Sequence, residues 1–367
     1  MSSGFNATVR RWESKVQLEA LRLGLVGVNK FRWRILRVLA AIVAAFLLVP
    51  RSSSSSTARV EGSAPTPSAQ AKDGPGGSNY HHAKVVAKSY GKGATAYWLY
   101  EPAAPTPKSA PLVILNHGWL AYIPGAYAAW TDHLVRRGNI VVYPVYQDSP
   151  FTRGDRFTPN ALQAVKDAIV ELKTGQHVRP ELDKFALVGH SAGGIITADL
   201  AVLAQAQGLP EPRAIMIIEP GRGDFFGKPN LPIQDYTKMP SAALILVVIG
   251  QSYSTNELIW PAKPIFRQAS VSATNKNFVT ILSDSRGKPK HVSDHLAASG
   301  KWGGSGGMAV DAMDYYAHWK LFDALCDAAF YNRNRACALG NTPEQRFMGR
   351  WSDGTAVREL VVTDSVK

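Results

Sequence analysis

From about residue 80 onward, short apolar runs alternate with amphipathic stretches and polar turns. The runs 112–115, 140–143, 185–188, 214–218, 243–249 and 278–282 are almost wholly apolar and rich in Val, Ile and Leu. Successive side chains of a strand point to opposite faces, so a strand covered on both faces needs such a run. Between them, residues 126–137 carry apolar side chains at 127, 130, 134 and 135, a helical spacing. Residues 158–173 predict a second helix, with Pro159 in the first turn where its missing N–H costs nothing. Residues 192–207 and 309–331 read as two more. The opening runs 85–89 and 94–100 flank Gly91-Lys92-Gly93 and predict an antiparallel hairpin. The alternation predicts an α/β fold: one mostly parallel, doubly wound sheet with antiparallel first strands. Reactive groups in such a sheet collect at the carboxyl ends of the strands.

The first 79 residues have a different character. Residues 38–49 form a twelve-residue apolar run ended by Pro50, with Arg32, Arg34 and Arg37 in front of it. A comfortable membrane-spanning helix needs about 20 apolar residues, so residues 1–50 read as a basic segment carrying a signal or anchor. Residues 51–79 are rich in Ser, Pro, Gly and Ala, and that composition predicts a disordered linker. Residues 80–367 are then one globular α/β domain. This organisation predicts an exported protein: periplasmic, secreted, or tethered to a membrane and facing outside.

Charge changes the picture little. The net charge is +13, but residues 1–79 hold eleven Lys and Arg against four Asp and Glu. The globular part is only moderately basic and has no long basic run, which argues against nucleic acid as a partner. The two cysteines, Cys326 and Cys337, have no metal-site spacing. In an exported chain they are candidates for a local disulfide.

The chemistry concentrates at Gly189-His190-Ser191-Ala192-Gly193, which follows the apolar run 185–188 and opens a predicted helix. Strand, G-x-S-x-G and helix together form a nucleophile elbow. Gly303-Gly304-Ser305-Gly306-Gly307 fits the same pattern but has no strand before it, and reads as a loop. A serine nucleophile needs a base, a carboxylate to orient that base, and donors for the oxyanion. His295 is favoured as base over His291, which is flanked by Lys288 and Lys290. His117 reads as a loop support and His318 as a packing residue. The oxyanion donors expected are the amides of Ala192 and Trp119, with Leu120 second to Trp119. No carboxylate follows the run 243–249 until Glu257, whereas Glu219 stands at the end of the run 214–218. Glu219 is therefore favoured as the acid over Glu257 and Asp224. Tyr122, Phe225 and Phe226 are candidates to wall the substrate pocket, as are Trp119 and Tyr127.

These residues resemble the α/β-hydrolases. Within them, the region is similar to lid-less esterases: chlorophyllases, platelet-activating-factor acetylhydrolases of the plasma type, and cutinase-like polyester hydrolases. His117-Gly118-Trp119 resembles their oxyanion turn. Asp294-His295-Leu296-Ala297 resembles the segment carrying the base of the polyester hydrolases, and Ile218-Glu219-Pro220 the aspartate-proline segment of chlorophyllases. Glutamate stands here for that aspartate, and the G-x-x-x-D acid of the polyester hydrolases is missing. The resemblance implies a serine carboxylic-ester hydrolase acting through an acyl-enzyme, with no cofactor and no metal. The ester is of small-molecule, lipid or polyester class. A cell-envelope acyltransferase using the same triad, and a non-catalytic envelope-binding protein of the same fold, stand as alternatives. About 24 residues separate Glu219 from Ala243, too few for a large lid.

Overall fold

A computed structural model describes residues 64–223, 230–300 and 310–367. The segment 1–50 with its apolar run, residues 51–63 of the linker, Asp224, Phe225, Phe226 and the second glycine-serine motif at Ser305 lie outside the described residues. Among the described residues no helix is long and apolar enough to cross a membrane.

The strands are β1 (Lys84–Tyr90), β2 (Tyr97–Ala103), β3 (Ser109–Asn116), β4 (Ile140–Pro144), β5 (Arg179–His190), β6 (Ala214–Ile218), β7 (Leu244–Gly250), β8 (Lys276–Ile281) and β9 (Val361–Thr363). They form one sheet in the order β1-β2-β4-β3-β5-β6-β7-β8-β9. The block from β4 to β8 is parallel throughout. β1, β2 and β9 run antiparallel at the two edges. The expected hairpin and parallel core are both present; the short strand β9 is an addition.

The apolar runs owe their continuity to two cores, one on each face. Leu112 and Ile114 of β3, Phe185 and Leu187 of β5, and Ile245 and Val247 of β7 pack into one layer. Their neighbours Val113, Leu115, Ala186, Val188, Leu246 and Val248 pack into the other. The first layer is covered by α2 (Phe157–Thr174), α3 (Ala192–Leu203) and α4 (Ala262–Gln268). The second is covered by α1 (Ala128–Arg136) and α5 (Trp319–Tyr331), the latter entered through a π-helical turn at Asp314–His318. A short α6 (Pro343–Arg346) follows.

Two expectations need correction. The linker does not extend to residue 79: residues 64–79 belong to the compact unit. Residues 64–79 lie along it as an extended strap. The Tyr315 and Tyr316 hydroxyls donate to the Ser68 and Ala69 carbonyls at 2.8 and 3.1 Å. The Gly76 amide donates to the buried carboxylate of Asp323 at 2.7 Å. The strap holds largely through its backbone, which composition does not report. The second correction concerns Cys326 and Cys337, which are free thiols and not a disulfide. Burial pushes both up, away from the thiolate that oxidation requires. The turn between them is already closed by main-chain bonds, such as Arg333 N–H to Asp327 O at 3.1 Å.

Candidate active site

Ser191 sits between β5 and α3 with φ 59° and ψ −122°, a region that side chains rarely occupy. Such a conformation costs roughly 1–3 kcal/mol and persists only where the surroundings enforce it. Here β5 and α3 meet too closely for ordinary residues. A Cβ on Gly189 would collide with the Gly193 carbonyl, and one on Gly193 with the Asn116 carbonyl. The Ser191 N–H donates to the Ile218 carbonyl at 3.0 Å, locking the turn to β6.

The loop after β8 brings His295 to this serine. Ser191 Oγ lies 2.9 Å from His295 Nε2, and His295 Nδ1 lies 2.6 Å from Glu219 Oε2. A carboxylate only accepts, so Nδ1 carries the proton and Nε2 accepts from the serine hydroxyl. The Glu219 side chain is 6% exposed and that of His295 36%, so the carboxylate is screened while the imidazole reaches solvent. Glu219 has φ 42° at the end of β6. Its Oε1 accepts from the Gly250 amide at 2.6 Å. Gly250 leaves no room for a side chain: a Cβ there would stand 2.5 Å from Glu219 Oε1.

The alternatives lie elsewhere. Glu257 is ion-paired to Arg267 at 2.6 Å. His291 is buried and stacked on Trp351, with ring centroids 4.6 Å apart. His318 is buried, and burial pushes it down to about 4. His117 is buried between the rings of Tyr143 and Tyr146. Its nitrogens face the carbonyls of Gly118 and Val145 at 2.6 and 3.0 Å. A neutral ring donates to one of them at a time, and burial pushes His117 down to about 4.

Ser191 opens into a cleft of about 370 Å³ whose lining includes Trp119, Phe157, Leu231, Ile259, Trp260 and Asn256. Among the described lining residues none is charged. Trp260 stands edge-on to His295, with centroids 5.2 Å apart at 75°. Sequence reasoning missed Trp260 and Ile259, because nothing in the pattern after Glu257 tells a pocket wall from a loop. Tyr122 is half-buried and does not line this cleft: the chain reverses at Leu120 (φ 68°) before reaching it. Tyr127 is buried and serves a hydrogen bond instead of a wall. The Leu120 amide is committed to Gln147 Oε1 at 2.7 Å. Ala192 and Trp119 both line the cleft beside Ser191.

Residues 116–279 match a family model described as alpha/beta hydrolase fold. The chain has the α/β-hydrolase fold. The match starts at the last residue of β3, runs through the elbow and Glu219, and ends within β8 before His295. It supports hydrolase chemistry in general and a small-molecule substrate. No curated protein matches the chain. His190, Glu219 and His295 offer nitrogen and oxygen atoms within 4.8 Å of one another, a grouping that a metal ion can use. Here those atoms are committed: Glu219 to His295, and His190 to Tyr127 and to the His295 carbonyl at 2.7 Å each. A cation would have to displace these bonds.

Proposed function

We propose that the protein is a serine carboxylic-ester hydrolase that works through an acyl-enzyme. The observation that carries this reading is the unbroken chain from Ser191 Oγ to His295 to Glu219, at 2.9 and 2.6 Å, on a strained elbow. In this mechanism Ser191 Oγ attacks the ester carbonyl carbon while His295 Nε2 takes the hydroxyl proton. The carbonyl oxygen becomes an oxyanion held by the amides of Ala192, at the start of α3, and Trp119. The C–O bond to the alcohol then breaks, and His295 gives its proton to the departing oxygen. Water repeats the sequence: His295 takes its proton, its oxygen bonds the acyl carbon, and Ser191 leaves with the proton restored. Glu219 keeps the imidazole in the required tautomer and offsets its positive charge.

The cleft, whose described lining residues are uncharged and mix apolar with neutral polar side chains, suits a neutral acyl group of a small-molecule, lipid or polyester ester. Export, with a membrane tether through residues 1–50, belongs to the same proposal and rests on the arginine-flanked apolar run. Fractionating cells that express the full chain tests it; activity confined to the cytosol overturns it.

The activity test is turnover of p-nitrophenyl esters of increasing chain length by the full chain, beside Ser191→Ala. The reading expects chain-length-dependent hydrolysis, with kcat of the variant lower by about 10⁴-fold or more. Equal rates for the two proteins overturn it.

A further inference from the structure

Outside the Ser191–His295–Glu219 line, the most connected group near the cleft is His190. It occupies the variable position of the elbow motif and is 3% exposed. Its Nδ1 lies 2.7 Å from the Tyr127 hydroxyl, and its Nε2 lies 2.7 Å from the main-chain carbonyl of His295. The Tyr127 hydroxyl also meets the Gly118 amide at 3.0 Å.

The directions of these bonds follow by elimination. An amide N–H only donates, so the Tyr127 oxygen accepts from Gly118. His190 Nε2 faces the His295 carbonyl, which only accepts, so the proton of this buried neutral imidazole sits on Nε2. Nδ1 is then the acceptor, and the single phenolic proton of Tyr127 is directed to it. Every donor and acceptor from Gly118 to His295 is used once, and all bonds point the same way. The chain is protected by fit as well: a Cβ on Gly118 would stand 3.0 Å from the Tyr127 oxygen and 3.5 Å from His190 Nδ1.

The relay joins three loops that the reaction must hold in register. Gly118 immediately precedes the proposed oxyanion donor Trp119. His190 immediately precedes Ser191. The carbonyl it holds belongs to His295 itself. We infer that His190 and Tyr127 are positioning residues for the ester hydrolysis, fixing the main chain of His295 against the elbow and the oxyanion turn. The inference rests on the serine-hydrolase reading above. Neither residue lines the cleft, so their loss acts on the chemical step and leaves substrate binding nearly intact.

The test compares the full chain with His190→Ala, His190→Gln and Tyr127→Phe. Each is measured for kcat and KM on one p-nitrophenyl ester, and for labelling by a fluorophosphonate probe. In labelling, Ser191 Oγ bonds phosphorus, fluoride leaves, and His295 takes the serine proton. We expect His190→Ala to lose about 30- to 100-fold in kcat with KM within about threefold. His190→Gln, whose side-chain amide can still donate to the His295 carbonyl, should recover about tenfold of that loss. Tyr127→Phe should lose about tenfold in kcat, again with little change in KM. A labelled, active wild type beside folded variants within twofold of it overturns the positioning role and leaves the hydrolase reading standing. A wild type that neither labels nor turns over overturns both. Should His190→Ala fail to fold, Tyr127→Phe, which removes one oxygen atom, decides by the same criterion.

Discussion

At the scale of single residues, the carboxylate is the informative member of the site. It comes from the end of β6, while the end of β7 carries Gly250, whose amide feeds the same carboxylate. Glu219→Gln should keep the shape but present an amide that can neither hold the required tautomer nor offset the imidazolium charge. We expect kcat to fall about 10³- to 10⁴-fold with the fold intact by circular dichroism. Glu257→Gln, which breaks only an exposed pair with Arg267, should stay within about twofold. The reverse pattern would move the acid to Glu257. Gly250→Ala adds a methyl group 2.5 Å from Glu219 Oε1 and 2.8 Å from Ser293 Oγ. It should lower kcat although it touches no substrate, and unchanged kcat would show that the carboxylate is not held as described. Ser191 and His295 were legible in the sequence because the strand–glycine–serine–helix grammar and the late histidine are local signals. His190 was not: the middle position of the elbow admits many residues, and its partners are 63 and 105 positions away.

At the scale of elements, the parallel core was readable because two apolar layers demand apolar residues at both parities of each strand. The elements missed lack that demand. β9 has three residues at an edge, α4 has seven and starts after Pro261, and the first half of β5 is largely polar. Helix α3 carries a polar exception. Asp199 is 1% exposed and accepts from Thr158, at the start of α2, at 2.8 Å and from Tyr236 at 3.1 Å. It ties α2 and the segment after β6 to the helix that bears the elbow. Burial raises this carboxyl to about 7, against hydrogen bonds and Arg222, which pull it down. In the unfolded chain it ionises near the ordinary value of about 4. Between those pH values the unfolded state has already released the proton and the folded state has not, so this group lowers stability as pH rises from about 4 to 7. Below that window its effect is absent, and above it the penalty is constant. Asp199→Asn, which keeps an acceptor and cannot ionise, should therefore gain on the wild type across the window. The expected reading is a difference in Tm that grows by several degrees in favour of the variant between pH 4 and 7. A constant difference would mean that Asp199 ionises in the folded protein as it does in the unfolded one.

At the scale of the whole molecule, the strap of residues 64–79 sets where the compact unit begins. Its composition is that of a tether, and no apolar periodicity marks it. Its attachment is largely through main-chain groups, joined by the Ser68 hydroxyl on the main chain of Arg350. The Lys288 and Ser352 amides donate to the Pro65 and Thr66 carbonyls at 2.9 Å each, and Arg137 donates to the Gly74 carbonyl at 3.1 Å. At its far end the Gly76 amide completes the shell of Asp323, whose other partners are His133 at 2.9 Å and Arg137 at 3.0 Å. Burial alone would raise the Asp323 carboxyl; His133 and Arg137 prevail and hold it below the usual carboxylate range. Cutting the chain at residue 80 leaves this buried charge one donor short and removes acceptors from Tyr315 and Tyr316. Each lost bond of this kind costs about 1 kcal/mol, and more where a charged group is involved. A chain of residues 80–367 should therefore melt lower than one of residues 64–367 by at least about 5 °C. Gly76→Ala provides the point-mutant version. Gly76 has φ 76°, and a Cβ there would collide with the Tyr315 carbonyl, so the strap must lift. The strap docks on the face of α5 and the C-terminal segment, away from the residues that line the cleft. Both changes should thus lower Tm while kcat at 25 °C stays within about twofold. Equal melting of 64–367 and 80–367 would return residues 64–79 to the role of a tether.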